Sequence, residues 1–566
     1  MIRILFLFLF AFFTQNCFGN QIDFTIALNQ NNMDILKNKL LDISDPYSEN
    51  YGKFMSNNEI MDIIKPSFED THSVINWLNY NNITNKNYGD AVKCKGNVTD
   101  IERMFDISLN VYNTNNKTYY YSDKNYIIPD EFKNIIVFVE GFRFNKKILR
   151  FNSTNNINVD PGYVSREVIQ KLYNISEDTN LSMVSGASIE YQGEYGFSQQ
   201  DLIMSQKENG EIIRSVKNNN ILGNNSNPDL ESQLDMQMIS QTAENIELWF
   251  WGEENWLYSF AVDFFNHKTV PDVISMSYGW SEDQQCTISN CTNITSSQYI
   301  DRVNNEYVKI GLRGITITVS SGDAGAPGRT SEQCNDSRPL NPVFPGSSPW
   351  VTSVGATFVK NNDEKDKLTK FQTPFCKNNT CANGNEEYPT NFNYTGWTAG
   401  GGFSIYQSEI TPKWQKKSVN EYINSGVKLP TKMNKNGRAY PDVSSVGHNC
   451  PVFSSGSLEA VDGTSCSSPI FAGIVSILNQ HQIKNGKPKL GFINPLLYKM
   501  VETANKTFND VTDGFNWCTE LTCCSSNNNQ SEFGYKGTIG YDPVSGLGTP
   551  NVGNIFEWLD SNTKSY

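Results

Sequence analysis

The chain predicts an α/β fold, a three-layer domain on a mostly parallel central sheet, preceded by a smaller α+β unit. Three observations predict it. Two near-continuous β-branched runs, Val273-Ile274-Ser275-Met276-Ser277-Tyr278-Gly279 and Ile315-Thr316-Ile317-Thr318-Val319-Ser320-Ser321-Gly322-Asp323, have the pattern of strands buried on both faces of a parallel sheet. Helical segments, around Leu234 to Phe250 and from Phe471 to Gln482, supply the covering layers. The length of 566 residues exceeds what one hydrophobic core usually serves, so a second domain is expected.

From the start, Arg3, the apolar run Leu5 to Phe13 and the small residues around Cys17 and Gly19 have the layout of a signal peptide over residues 1–19. That run is too short to cross a bilayer, and no later stretch approaches about 18 uninterrupted apolar residues, so no membrane span is expected. Residues 20–157 alternate short helical patterns with β-rich runs at Val111 to Tyr121 and Ile135 to Phe142, an α+β pattern. The polar stretch Asn152 to Gly162 reads as a linker open to cleavage. Residues 158–566 carry the sheet pattern, with functional groups expected at the carboxyl ends of its strands.

Bulk properties narrow the function. A net charge of −14 argues against a nucleic-acid partner and suits an acidic compartment, where partial protonation of carboxylates reduces self-repulsion. Asn-x-Ser/Thr sequons, among them Asn82, Asn97, Asn174, Asn293 and Asn393, agree with export, although an Asn-rich chain also produces them by chance. The close pairs Cys286/Cys291 and Cys376/Cys381 read as a partial disulfide set; without paired CxxC knots near histidine, a zinc site is the weaker reading.

Ser465 lies in the turn Gly463-Thr464-Ser465, with Pro469 following and a helical run after it. A serine at a helix N-terminus has unpaired backbone N–H groups nearby that can stabilise an oxyanion, but the same pattern describes a plain capping serine. A nucleophilic serine needs a base. Of the four histidines, His72 falls in the N-terminal unit, and His481 lies on the predicted helix of Ser465, roughly 24 Å along it at 1.5 Å per residue. Neither His267 nor His448 has a context that recommends it. Carboxylates are better placed. Glu231 and Asp235 stand one turn apart on one face of a helical pattern; two such groups cannot both ionise cheaply, so one keeps a proton while the other can accept one. An acidic first turn favoured by the helix dipole is the other reading. Asp323 closes the strongest strand run, either as a crevice acid able to donate to an oxyanion or as a turn-forming Asx residue.

Together these residues resemble the sedolisins, or serine-carboxyl peptidases, and within them the tripeptidyl-peptidase type, over nearly the whole chain after the first 19 residues. The resemblance rests on Glu231-x-x-x-Asp235, Ser321-Gly322-Asp323-Ala324-Gly325 and Gly463-Thr464-Ser465 with Pro469. Phe344 to Val351, Gly400 to Ser404, Tyr440 to Val443 and Asp45 to Lys53 support it. It implies a subtilisin-like peptidase domain in which Ser465 attacks the scissile carbonyl, Glu231 takes its proton, Asp235 holds and tunes Glu231, and Asp323 donates to the oxyanion. It implies that residues 20–157 are a propeptide that assists folding, covers the cleft as an intramolecular inhibitor and is removed by acid-triggered self-cleavage near residues 150 to 165. It also implies one structural Ca2+, held by the carboxylates of Asp510 and Asp542 and the main-chain carbonyls of Val511, Thr538 and Gly540, with water completing the shell. Thr538 departs from the family, where glycine is frequent.

The implied activity is removal of tripeptides from the free N-termini of peptides and unfolded proteins, in the lysosome or another acidic lumenal compartment, or after secretion. An acid endopeptidase and a catalytically inactive binding glycoprotein are the alternatives. The acid requirement follows from the roles: Glu231 must be ionised while Asp323 holds a proton, and ordinary carboxyl values of about 4.3 and about 3.9 do not separate the two unaided. Two departures flank the nucleophile. Asp462 stands where the family usually has a small residue, and Cys466 follows Ser465 directly. The first can shift the site's titration and the second can confer sensitivity to thiol reagents, or both can be silent.

Overall fold

In the computed structural model the residues described are 21–113, 118–142, 164–176, 183–191, 195–289, 291–329, 338–360, 386–406, 412–504, 506–517 and 530–564. The expected signal peptide, the linker at 152–162 and Cys334, Cys376, Cys381, Cys518, Cys523 and Cys524 lie outside them.

Alternation along Gln21–Leu28 (β1) buries Phe24 and Ile26 on one face, and the strand pairs antiparallel with Ala91–Asn97 (β3) and Ile136–Glu140 (β4). Thr84–Asn87 (β2) completes a sheet of order β2-β3-β1-β4. Helices Met33–Ser44 (α1), Asn57–Ile64 (α2) and Phe68–Tyr80 (α3) pack on it, α2 opened by a capping box between Ser56 and Glu59. The β-rich run predicted over Val111 to Tyr121 is a hairpin of Asn110–Asn113 and Thr118–Tyr121.

Beyond residue 164 an eight-stranded sheet forms. Its strands are Ser185–Glu190 (β5), Ile221–Leu222 (β6), Glu247–Gly252 (β7), Val273–Met276 (β8), Thr316–Ser320 (β9), Thr352–Lys360 (β10), Glu386–Pro389 (β11) and Val443–Val446 (β12). The order is β11-β10-β9-β8-β5-β7-β6 with β12 also on β10, and every pairing is parallel except β10 with β11. One face carries Leu230–Thr242 (α4) and the long helix Thr464–Lys484 (α7); the other carries Leu257–Asn266 (α5) and Ser296–Leu312 (α6). Both α4 and α7 are buried almost all round, as a helix sandwiched in a large core must be. Ile470, Phe471, Ile474 and Leu478 alone, each burying its side chain at about 1.5–3 kcal/mol, fix α7 against the sheet.

The helix expected to reach Phe250 stops at Thr242. Asn245 takes a left-handed φ of 69°, and the aromatic run Leu248 to Trp251 pairs as strand β7 instead, where bulky side chains suit a buried pleat. The two β-branched runs end at Met276 and Ser320, earlier than their sequence pattern, so Ser277, Tyr278 and Asp323 fall in the crevice beyond the strand ends.

The two units share one apolar cluster. Leu36, Leu40, Ile43 and Phe138 belong to the same core as Tyr258, Phe265 and Leu312 of α5 and α6. Phe54 lies so close over Gly314 and Gly491 that a Cβ on either would stand 2.6 Å from its ring. Polar anchors ring this apolar contact. Asp90 accepts from Lys309 Nζ at 2.7 Å and from Gln30 at 2.6 Å, Lys309 also binds Glu306 at 2.5 Å, and Arg302 reaches Glu306 at 3.3 Å. Glu140 accepts from Tyr299 and from the Ser259 N–H, both at 2.7 Å, and Lys93 pairs with Asp263.

Candidate active site

Gly463 has φ +150°, a region that favours glycine, and it swings the chain from the strand Ser457–Val461 into the first turn of α7. Ser465 is therefore the second residue of a helix that begins seven positions before the predicted Phe471, and it is 8 % exposed. Pro469 has no N–H, so the Ser465 carbonyl lacks its usual helical donor. Asp323 holds this turn from across the crevice: its Oδ1 accepts from both the N–H and the hydroxyl of Thr464, each at 2.6 Å, and the Gly322 N–H donates to Thr464 Oγ1 at 3.2 Å.

Helix α4 brings the other two acids. Asp229 caps it, accepting from Ser232 N at 3.1 Å, and the helical period then sets Glu231 and Asp235 on one face. Ser465 is a hydrogen-bonding neighbour of Glu231 that favours its ionised form, and Glu231 Oε1 is out of solvent without a hydrogen-bond partner. Burial pushes Glu231 up to about 7; the charges of Asp229 and Asp323 add to the rise, while Ser465 and Arg329 oppose it. Asp235 is 1 % exposed and is driven well above the usual carboxyl range by burial and by the Glu231 charge, against the hydroxyls of Ser277 at 2.7 Å and Ser188 at 3.1 Å. The four acid and serine positions singled out in the sequence are thus brought together.

Several neighbours were not singled out. Glu190, at the end of β5, accepts from Ser232 at 2.9 Å and from Tyr278 at 2.7 Å, and its charge adds to the rise of Asp235. Arg329 places Nη2 3.5 Å from Asp323 Oδ2, and both residues line a cleft with Ser277, Trp280, Gly322 and Val343. Glu190, Ser277 and Tyr278 sit at or just past the carboxyl ends of strands, the position that could have found them; Arg329 lies in a turn with no such signal. None of the histidines hydrogen-bonds Ser465 among the described residues. His448 faces Asp462 at 2.8 Å, His481 faces Asp560 at 2.8 Å, His267 meets the Thr269 carbonyl, and His72 stacks on Phe68. Cys466 is fully buried and burial drives its thiol well above its ordinary range, which contradicts the sensitivity to thiol reagents. Cys286 and Cys291 are disulfide-bonded as their spacing suggested.

The C-terminal residues singled out also converge. The Gly540 N–H donates to Asp510 Oδ2 at 2.7 Å and the Thr538 N–H to Asp542 Oδ2 at 2.9 Å, so both carboxylates close on the turn 538–542. The Val511 carbonyl lies beside them, accepting from Ser545 Oγ at 3.2 Å. Burial raises Asp510, and it pushes Asp542 up to about 7. Among the described residues no three His, Cys, Asp or Glu side chains gather as metal ligands, so main-chain oxygens would have to complete any shell. Two carboxylates short of countercharge beside main-chain oxygens fit a hard cation such as Ca2+.

A serine beside a buried carboxyl, with a second buried carboxyl one helical turn away and a third on the facing loop, makes a candidate serine-carboxyl site on an α/β sheet. Comparison with known proteins agrees. Residues 18–144 match the family described as Pro-kumamolisin, activation domain. The chain is 40% identical over 552 residues to physarolisin of Physarum polycephalum, covering 95% of this chain and 94% of that protein. It is 29% identical to tripeptidyl-peptidase 1 of Homo sapiens, covering 95% and 92%. Among solved structures it resembles Pseudomonas sedolisin, a serine-carboxyl proteinase complexed with two molecules of pseudo-iodotyrostatin, with a TM-score of 0.52 at 21% identity over 71% of this chain and 99% of that one. The chain belongs to the sedolisin family of serine-type peptidases, and its N-terminal unit is an activation domain.

Proposed function

We propose that this is an acid-acting serine-carboxyl peptidase made as a zymogen, which removes tripeptides from the free N-termini of peptides and unfolded proteins. Ser465 attacks the scissile carbonyl and Glu231 accepts its proton; because burial sets Glu231 at about 7, turnover in acid runs on the ionised minority of that group. Asp235, holding a proton, spares Glu231 a like charge and orients it. Asp323, on the facing loop, takes the role of serving the oxygen that becomes negative, as the family resemblance implies. The observation that carries this reading is the convergence of Ser465 on Glu231, with Asp235 one helical turn behind it and Asp323 holding Thr464 next to the serine. A positioned base is worth roughly 10²–10⁴ in rate, and one oxyanion donor about 3–4 kcal/mol.

The exopeptidase reading is supported by the tripeptidyl-peptidase 1 relatives, which align over almost the whole chain. A free-amine tripeptide reporter and its N-blocked counterpart, compared at about pH 4–5, test it. Turnover of the free-amine form alone is expected; equal turnover of both would make the enzyme an endopeptidase of the same family.

Self-cleavage of the propeptide near residues 150 to 165 is supported by where the chain re-enters the peptidase. The Val164 N–H donates to the Asn449 carbonyl at 3.0 Å, and the Asn449 N–H donates to Asp462 Oδ1 at 2.8 Å, three residues ahead of the nucleophile. In the C-terminal turn, Asp510 and Asp542 with the carbonyls of Val511, Thr538 and Gly540 would hold one Ca2+, which would supply structural countercharge and take no part in the reaction. A lysosomal or secreted glycoprotein is in keeping with exposed sequon asparagines at Asn82, Asn174 and Asn293.

A further inference from the structure

We infer that Cys450 and Cys466 close a disulfide while the chain folds in an oxidising lumen, a staple between the strand Cys450–Ser454 and the first turn of the helix that carries Ser465. The inference rests on the export reading above, which supplies the oxidant, and is independent of the peptidase mechanism. Four contacts draw the two segments together. The Gly463 N–H donates to the Gly447 carbonyl at 2.9 Å, and the Asn449 N–H donates to Asp462 Oδ1 at 2.8 Å. Cys450 pairs with Val461 across an antiparallel hairpin, and Cys466 Sγ donates to the Val461 carbonyl at 3.4 Å. Val461 is thus a direct neighbour of both cysteines, facing Cα atoms in such a pair standing about 4.5–5.5 Å apart. The Cys450 thiol is itself a hydrogen-bonding neighbour of Cys466 and, together with burial, holds that thiol in its protonated form.

Both side chains are fully buried, and in this structure both are thiols. Among the described residues no other cysteine competes for them: Cys286 and Cys291 are bonded to each other, and Cys94 is buried in the core of the activation domain. The burial that shuts reagents out of the finished protein also requires the bond to close before the core does. A disulfide donor, either oxidised glutathione or the disulfide of a folding oxidase, is attacked by one cysteine thiolate, leaving a mixed disulfide and one donor thiol. The second cysteine thiolate then attacks the sulfur bonded to the first, the new S–S bond forms and the second donor thiol departs. Two electrons pass from the cysteines to the donor, and the two cysteine protons end on its sulfurs. The closed loop contains the hairpin and the nucleophile turn, so the bond restricts the unfolded chain and fixes that turn to its neighbouring strand.

The test is a disulfide map of the full chain, made with its own N-terminal segment in a eukaryotic host, purified without reductant, denatured with iodoacetamide present and digested without reduction. A peptide bearing Cys450 linked to one bearing Cys466 is expected, and the Cys286–Cys291 pair reports in the same digest whether the chain met an oxidant. If Cys286 and Cys291 are linked while Cys450 and Cys466 are both alkylated, or if Cys450 is linked to a different cysteine, the inference is overturned and the export reading stands. If both pairs are alkylated, the export reading falls and the inference with it. C450A and C466A should each lower the melting temperature by a few degrees and the double variant no further, because either change alone removes the bond. Losses that simply add would overturn the staple.

Discussion

Two groups of buried charges show how differently one protein treats ionisable side chains. Where the activation domain meets the peptidase, Asp90 and Glu306 are buried with Lys309 and Arg302, and opposite charges are paired within the protein. The cations outweigh desolvation for Asp90, whose carboxyl is held below its usual range, whereas burial still raises Glu306 against the same two cations. At the proposed active site Glu231, Asp235 and Asp323 are all acids, Arg329 is a cation beside Asp323, and Glu231 and Asp235 are raised. The first arrangement fixes protons where they are and locks two surfaces; the second makes them easy to move. The proposed catalysis would use the imbalance of like charges, while the docking surface pairs opposite ones.

The comparison breaks most visibly at the nucleophile. S465A should reduce peptidase turnover by a factor on the order of 10⁴ or more, and E231Q by about 10²–10⁴, with the unfolding midpoint little changed in either. Reporter kinetics with parallel thermal melts check this. D90N strands Lys309 and Arg302 with a single carboxylate and should weaken the unprocessed precursor by about 3–5 kcal/mol, read by denaturant titration in an S465A background.

A third acid sharpens the contrast. Asp542 is buried with main-chain N–H and Ser545 hydroxyl partners and with no ion pair among the described residues, and it is pushed up to about 7 from an ordinary 3.8. Without an ion the folded state therefore holds a proton that the unfolded chain releases. That contribution is fully present below about pH 4 and is lost as pH rises through about 7. A bound cation favours the ionised form and cancels the loss. Chelator should accordingly lower the melting temperature by several degrees at neutral pH and by much less near pH 4; an equal drop at both pH values would argue against an ion on Asp542. The smallest expected effect is that of D229N. Asp229 is one of the charges raising Glu231, so removing it lowers that value and moves the acid limb of the kcat profile to lower pH by about half a unit, while the amide keeps the helix cap.

Much of the site was legible because its chemistry sits in short local patterns. Glu231 and Asp235 are bound together by the helical period, and Gly463 makes the nucleophile turn recognisable. What sequence could not give was whatever depends on distant strands meeting. Ser188 and Ser277 reach Asp235 from two neighbouring strands, and Arg329 reaches Asp323 across a turn. Leu248 to Phe250 was read as helix because an apolar run buried on every side has no period to betray it. Cys466 beside the serine was open to a reactive or a silent reading, and its complete burial supports the silent one.

The apolar cluster that continues from the activation domain into α5 and α6 has a further consequence for how this enzyme is switched on. While the chain is unbroken, the two halves meet at an effective concentration set by the tether, and the contact is insensitive to dilution. Cutting between residues 142 and 164 leaves Phe54 over its glycines and changes only the order of the reaction, from unimolecular to bimolecular. Release would then depend on how dilute the molecule is.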